Sequence, residues 1–135
     1  MTIKLKYLPE KLIVGHDYID SQHDALFRLF DKIYNAVEND DDLSDLDKVI
    51  KKLVDYVSFH FKNEEKLMLK IGYPNLKEHK KEHRIMTRRV YEYLSRFKSE
   101  NESQRAIIID INDFIKSWLI EHIADKDMNL AEYLK

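Results

Sequence analysis

Apolar residues recur along most of this chain in alternating steps of three and four, which is the spacing of one face of an α-helix. The pattern predicts four helical segments, at residues 21–38, 44–71, 76–98 and 103–124. In chain order, the four apolar faces consist of Ile19, His23, Leu26, Phe30, Ile33 and Val37; Leu46, Ile50, Leu53, Val57, His60, Glu64, Leu67 and Ile71; Leu76, His79, His83, Met86, Val90, Tyr93 and Phe97; and Ile108, Ile111, Ile115, Trp118 and His122. One such face on each helix predicts a core shared by all four.

Three short segments interrupt the helical pattern. A run of polar and acidic residues occupies 39–42, and a second polar run occupies 99–103. The clearest stop lies between them, where Gly72 follows a helical segment and Pro74 comes soon after. The residues expected to cap the helix N-termini are Asp20, Ser44, Asn75 and Ser103.

Short connections between long helices make successive helices antiparallel. The sequence therefore predicts an all-α fold, an antiparallel up-down-up-down four-helix bundle with an irregular N-terminal arm and a short C-terminal tail. The chain has 135 residues, the length of one ordinary domain, and we expect a single domain over residues 1–135. We expect this domain to be a monomer or a weak homo-oligomer.

Composition removes several classes of site and partner. The chain has no cysteine, which excludes disulfides, thiolate metal sites, iron–sulfur clusters and cysteine nucleophiles. A formal net charge of −2 argues against nucleic acid as a partner, and the basic run at 77–89 is expected to be a solvated helix face. We find no apolar run long enough to span a membrane and no secretory signal, so we expect no membrane insertion and a cytoplasmic location.

Polar residues interrupt the predicted core on every helix. Five of the six histidines lie on the apolar faces, and Glu64 lies among them. A buried carboxylate is costly unless it is paired with a cation or coordinates a metal. Because the apolar faces carry no lysine or arginine that could neutralise Glu64, the pattern predicts a metal ion in the core.

Spacing places these polar residues at one depth in the bundle. His60 and Glu64 are four residues apart, as are His79 and His83, so each pair shares one helix face. Counting residues from each break, at roughly 1.5 Å of rise per residue, brings the histidines of the four helices to the same level. All five histidines and Glu64 are therefore expected in one layer, near the end of the bundle that the turn at 72–75 closes.

Three further polar residues lie close in sequence to the residues of this layer. Asp127 lies five residues after His122, and it reaches the layer only if the helix loosens at 124–126. His16 is expected in the loop before the first helix and not to be a ligand. Glu65 lies one step round the helix from Glu64 and is expected to face solvent.

The segments around these positions resemble the hemerythrins, in particular the single-domain bacterial hemerythrins. They read VGHDYIDSQH at 14–23, HFKNEEKLM at 60–68, HKKEH at 79–83 and WLIEHIADKD at 118–127. Together they form the pattern H…HxxxE…HxxxH…HxxxxD, and the resemblance extends over essentially the whole chain. One departure is Leu8, where bacterial members often carry a tryptophan, so the N-terminal arm is expected to pack differently.

The resemblance implies a non-haem site of two iron ions joined by an oxo or hydroxo bridge. The implied ligands of one iron are His79, His83 and His122, and those of the other are His23 and His60. Glu64 and Asp127 would bridge the two irons. With six positions on each iron, this ligand set leaves one position open on the iron with two histidines. The resemblance implies that O₂ binds there reversibly.

The implied function is a non-enzymatic O₂ carrier for storage, transport or delivery, with an oxygen-consuming enzyme as a possible recipient. Reversible binding needs an apolar pocket, because water and protons promote oxidation. The candidate lining residues are Leu119, Trp118, Phe61, Leu26 and Phe27. Two alternatives remain open. One is an oxygen or redox sensor, although this chain leaves little room for an output domain. The other is a di-iron oxidase, peroxidase or nitric-oxide reductase, although a histidine-rich site disfavours oxidative catalysis.

Overall fold

The computed structural model describes residues 4–40, 42–97 and 103–134. The described residues form four long helices, α1 (Asp17–Glu38), α2 (Leu43–Ile71), α3 (Leu76–Phe97) and α4 (Gln104–His122). A 3₁₀ turn at Glu10–Leu12 precedes α1, and α4 runs on into a π-helical segment at Ile123–Asp127 and the short helix α5 (Met128–Tyr133). The predicted all-α four-helix bundle is confirmed. Among these described helices, none has the length and apolar character needed to cross a membrane.

The predicted apolar faces meet in one core. Leu26 of α1, Leu53 of α2 and Ile111 of α4 are all fully buried there, together with most of the other predicted positions. The C-terminal tail, for which the sequence predicted no element, forms α5. Leu130 and Ala131 of α5 are buried in the same core, because a tail with apolar residues gains stability by covering the end of the bundle.

Helix α1 begins before the predicted position. Its N-cap is His16, whose Nδ1 accepts a hydrogen bond from the backbone N–H of Ile19 at 3.3 Å. The prediction that Asp20 is the N-cap was wrong, because its buried carboxylate turns away from the helix terminus. It accepts the backbone N–H groups of Val14 at 2.9 Å and Gly15 at 3.0 Å, and so fixes the loop before the helix.

The other helix ends differ less from the prediction. Helix α2 begins at Leu43, so Ser44 lies within it and is not its N-cap; the side chain of Ser44 lies outside the described residues. Asn75 directly precedes α3 as predicted, and Ser103 caps α4 by accepting the backbone N–H of Ala106 at 3.4 Å. The predicted end of α3 at residue 98 and the break at 99–102 lie outside the described residues.

The N-terminal arm is held against α1 by one carboxylate. Asp24 Oδ1 accepts the backbone N–H groups of Lys6, Tyr7 and Leu8 at 3.0, 2.7 and 2.8 Å. Leu8 and Leu12 are buried. Together with the contacts of Asp20, this anchors the arm over the N-terminal half of α1, the half that carries His23.

Candidate metal centre

Seven polar side chains converge in one buried layer of the bundle. They come from all four long helices and from the π-helical segment, and they are His23, His60, Glu64, His79, His83, His122 and Asp127. Each of them is at most 4% exposed. The structure therefore brings together every residue that the resemblance implied as a ligand.

The five imidazoles form two groups within this layer. In the three-histidine half, Nε2 of His122 lies 3.1 Å from Nε2 of His79 and 3.2 Å from Nε2 of His83. In the two-histidine half, Nε2 of His23 lies 3.1 Å from Nε2 of His60. Two imidazole nitrogens on adjacent positions of an octahedral metal, with bonds of roughly 2.1 Å, stand about 3 Å apart.

The two carboxylates each face both halves of the layer. Glu64 directs Oε1 towards His83 Nε2, at 3.3 Å, and Oε2 towards His60 Nε2, at 3.4 Å. Asp127 directs Oδ1 towards His79 Nε2, at 3.1 Å, and Oδ2 towards His23 Nε2, at 3.0 Å. This arrangement is suited to carboxylates that share two metal ions.

The hydrogen bonding of the layer tests whether a metal fits. All four oxygens of Glu64 and Asp127 are buried and accept no hydrogen bond of acceptable geometry from the described residues, although imidazole nitrogens lie close to them. Buried carboxylate oxygens without partners are costly. A donor set of five imidazoles and two carboxylates supplies ligands for first-row transition metals, so the residues fit a pair of such ions.

Polar groups outside the layer fix the orientation of three imidazoles. The Nδ1–H of His83 donates to Glu65 at 2.9 Å, and that of His122 donates to Glu82 at 3.1 Å. The Nδ1–H of His60 donates to the buried amide oxygen of Gln22 at 2.7 Å. A proton held on Nδ1 leaves the lone pair of Nε2 free and directed into the layer, as metal coordination requires.

These outer partners were not predicted from the sequence. Glu65 was expected to face solvent, and that prediction was wrong, since α3 packs over it and its carboxylate contacts His83. Each outer partner is next in sequence to a cluster residue on its own helix but forms its hydrogen bond with a histidine on another helix. Gln22 precedes His23, and Glu82 precedes His83. That recurring adjacency was the available signal.

The π-helical segment brings Asp127 into the layer. A π-helix places residues five apart on one face, where an α-helix does so for residues four apart. His122 and Asp127 are five apart, and the π-helical segment spans the residues between them. The loosening of the helix that the sequence required is therefore confirmed.

Burial and neighbouring charge act in opposite directions on the metal-free layer. Burial lowers the pKa of His60 to about 4, so this imidazole is neutral at pH 7. Burial also lowers the pKa of His79, but the carboxylates of Asp127 and Glu64 outweigh it and raise that pKa to about 9. Burial raises the pKa of Asp127, yet His122, His23 and His79 hold it well below its usual value.

Aromatic rings cover the three-histidine half. Phe61 stacks on His83 with ring centroids 3.9 Å apart, and Trp118 stacks on His122 at 4.4 Å. The remaining predicted lining residues, Leu26, Phe27 and Leu119, are buried. The assignment of all five to an O₂ pocket stays a prediction.

Comparison with known proteins identifies the family of the chain. Residues 14–134 match the hemerythrin HHE cation binding domain. The chain belongs to the hemerythrin family. Hemerythrins hold two iron ions, and this family member has a buried histidine and carboxylate cluster able to hold metal.

Curated hemerythrin relatives match over most of their length. The chain is 34% identical over 117 residues to a bacteriohemerythrin of Clostridium acetobutylicum, covering 84% of this chain and 89% of that protein. It is 31% identical over 126 residues to a bacteriohemerythrin of Stenotrophomonas maltophilia, covering 93% and 79%. The fold is similar to a crystal structure of wild-type hemerythrin, with a TM-score of 0.75, 29% identity, and coverage of 87% of this chain and 88% of that one.

Proposed function

We propose that this hemerythrin binds O₂ reversibly at a di-iron centre, for oxygen storage, transport or delivery. The observation that carries the proposal is the buried layer of five imidazoles and two unpartnered carboxylates in a member of this family. When bound, two irons in this layer would supply a redox-active pair that can bind a small ligand. As recipient we propose an oxygen-consuming enzyme.

In this proposal the protein divides the ligands between the halves of the layer. His79, His83 and His122 hold one iron, and His23 and His60 hold the other. Glu64 and Asp127 each face both halves and would supply ligand oxygens to both irons, an assignment supported by their positions between the two groups of imidazoles. The packing of the four helices fixes the distance between the two halves of the layer, because side chains have little freedom in a packed core.

The surrounding residues keep water away from the centre. Leu119 and Leu26 are at most 2% exposed, and we assign them with Phe27 to the pocket on the two-histidine side. Among the described residues, the other buried carboxylate near the layer, Asp20, is occupied by two backbone N–H groups. In the described part of the chain, no further buried carboxylate is thus left to deliver protons, which favours a carrier over an oxidase or a peroxidase.

The test is to mix the reduced, iron-loaded protein rapidly with O₂ and to record its absorption spectrum. We expect a new visible band that disappears when O₂ is removed, over repeated cycles. Irreversible oxidation on the first exposure, or turnover of an added reductant, would support the enzymatic alternative. A spectrum that does not return to that of the reduced protein after O₂ is removed would also contradict a carrier.

Glu64→Ala tests the assignment of the bridge. Loss of this carboxylate should lower the iron content from two ions per chain to one or none, measured by metal analysis after desalting. Asp55→Ala removes an exposed acid from the same helix and serves as the control. A variant at Glu64 that keeps two coupled irons would contradict the assignment.

A further inference from the structure

A groove between α2 and α3 has no role in the proposed function. It has a volume of about 510 Å³, within the range of small-molecule sites, and it opens to solvent beside the metal layer. His83 and Glu65 lie at its inner wall. Its α3 side includes part of the basic run at 77–89, which the sequence predicted to be a solvated helix face.

Three cationic side chains surround the groove without an anionic partner. Lys62 projects from α2, and Arg84 and Arg88 project from α3 four residues apart, so both guanidinium groups lie on one face of that helix. Among the described residues, none of the three forms an ion pair or a hydrogen bond. Unpaired arginines that converge from one helix form a site for a multiply charged anion, since the guanidinium group binds phosphate oxygens in pairs.

The other polar groups in the groove also favour an anion. Ser58 and Tyr91 present hydroxyl groups that have no hydrogen-bond partner among the described residues. The one carboxylate in the wall, Glu65, already accepts the Nδ1–H of His83 and lies 4.0 Å from the ammonium group of Lys80. The groove therefore offers free donors and positive charge, and its only acid is occupied.

Apolar surface continues from the charged part of the groove. Tyr91, which is 62% exposed, contributes an accessible ring to the wall, whereas Phe61 is 4% exposed and stacks on His83. A smaller adjoining cavity of about 20 Å³ extends towards Val57 and Val90. Aromatic walls beside a cluster of cations suit a ligand that has a planar body and a charged group at one end.

We propose that this groove binds a mononucleotide-like ligand, a phosphate monoester attached to a planar aromatic body. Arg84, Arg88 and Lys62 bind the phosphate, and the hydroxyl groups of Ser58 and Tyr91 bind other polar groups of the ligand. The planar body lies against the ring of Tyr91, the exposed aromatic side chain of the groove. Three cations favour a phosphate dianion over a single carboxylate, because the attraction grows with the charge on the ligand.

The test uses flavin mononucleotide as the probe and the full-length, metal-loaded protein at an ionic strength of about 0.15 M, where nonspecific attraction is screened. Binding is measured by titration calorimetry and by the fluorescence of the flavin. We expect saturable binding of one molecule per chain. Riboflavin, which lacks the phosphate, should bind at least tenfold more weakly.

Two variants locate the site, and both change exposed residues outside the metal ligands. Arg84→Gln with Arg88→Gln should weaken flavin mononucleotide binding at least tenfold. Ser58→Trp fills the groove without changing the charge, and it should weaken binding to a similar extent. Metal content and circular dichroism should stay unchanged in both.

A matched control removes the same charge from the same helix. Lys77→Gln with Lys81→Gln lowers the positive charge of α3 by the same amount at exposed positions that do not line the groove. If this control variant binds flavin mononucleotide within twofold of the wild-type affinity, the result supports the groove as the site. An equal loss of affinity in both double variants would show that only the net charge matters, and it would overturn the proposal. No saturable binding at millimolar probe, equal binding of riboflavin, or complete competition by polyglutamate would overturn it as well.

Discussion

At the scale of single residues, the two halves of the metal layer have different outer partners. The three-histidine half is backed by carboxylates, because Glu65 accepts from His83 and Glu82 accepts from His122. The described partner in the two-histidine half is the neutral amide of Gln22. A carboxylate behind an imidazole makes its metal-binding nitrogen more electron-rich than an amide does. We therefore expect the three-histidine half to hold its metal more tightly.

Glu82→Ala tests the effect of such an outer partner. Without the carboxylate, the His122 ring loses both its fixed orientation and the negative charge behind it, so metal affinity should fall by roughly 10- to 100-fold. Competition with a chelator of known affinity measures the change. Glu121→Ala removes an exposed acid that directly precedes His122 in the chain but whose carboxylate makes no hydrogen bond to the imidazole, and it should have little effect. Equal affinity for the Glu82 variant and the wild-type would show that the contact only accompanies the fold.

How much of the site the sequence could predict differs between its inner and outer residues. Six of the seven cluster residues were recognisable from the pattern, because five histidines and Glu64 on apolar faces require a reason to be buried; Asp127 was implied only by the family resemblance. Glu65 and Glu82 were not recognisable, because each lies one step round its helix and is part of a charged, exposed-looking pattern. Whether such a residue contacts a neighbouring helix depends on how the helices pack, which periodicity within one helix does not contain.

At the scale of elements, the π-helical segment sets the position of a bridging carboxylate. The sequence indicated an irregular helix there, since a separation of five residues does not fit an α-helical face. By contrast, the start of α1 was predicted wrongly. Asp20 has the residue type of an N-cap, but the nearby loop offers its carboxylate two N–H groups, and His16 takes the capping position. Side-chain capping preferences overlap, so local sequence does not decide between such residues.

Changes in the length of the π-helical segment test whether the spacing between His122 and Asp127 places the carboxylate in the layer. Deleting the exposed Ala124 leaves Asp127 four residues after His122, the spacing of an α-helical face, so the carboxylate should stay in the layer. Inserting one alanine after Ala124 makes the separation six and turns the carboxylate away. We expect two metals per chain for the deletion and fewer for the insertion, by metal analysis. Equal loss in both variants would show that the π-helical geometry itself is required.

Asp20→Ala tests the connection between the arm and α1. The variant leaves the N–H groups of Val14 and Gly15 without their buried acceptor, so the free energy of unfolding should fall by about 1–3 kcal/mol. Urea denaturation of the metal-loaded protein measures this. Asp31→Ala, at an exposed position of the same helix, should change stability by less than about 0.5 kcal/mol. An equally small effect at Asp20 would mean that solvent replaces the lost acceptor.

At the scale of the whole molecule, the metal layer makes stability depend on the ions that it holds. Five imidazoles and two carboxylates in the core of a domain of this size carry a large desolvation cost. Metal that binds the folded state and not the unfolded chain offsets this cost and raises the free energy of unfolding. The metal-free protein should therefore melt at a lower temperature than the loaded one, and its stability should depend on pH through the ligands.

The metal-free protein should be most stable near pH 6.5 and lose stability on both sides. The pKa of His79 is raised to about 9. The stability that protonated His79 adds to the folded state is therefore complete below its unfolded pKa near 6.5 and is lost as the pH rises towards 9. The pKa of His60 is lowered to about 4, so between pH 6.5 and 4 the unfolded chain takes up a proton that the folded chain does not, and stability falls. Metal-loaded protein should lose the alkaline decline, because coordination already requires neutral His79, and should keep a steep acid decline, because protons compete with the metal. Melting temperatures from pH 4 to 9.5, with and without metal, measure both curves. Parallel alkaline declines in the two forms would show that His79 does not bind the metal.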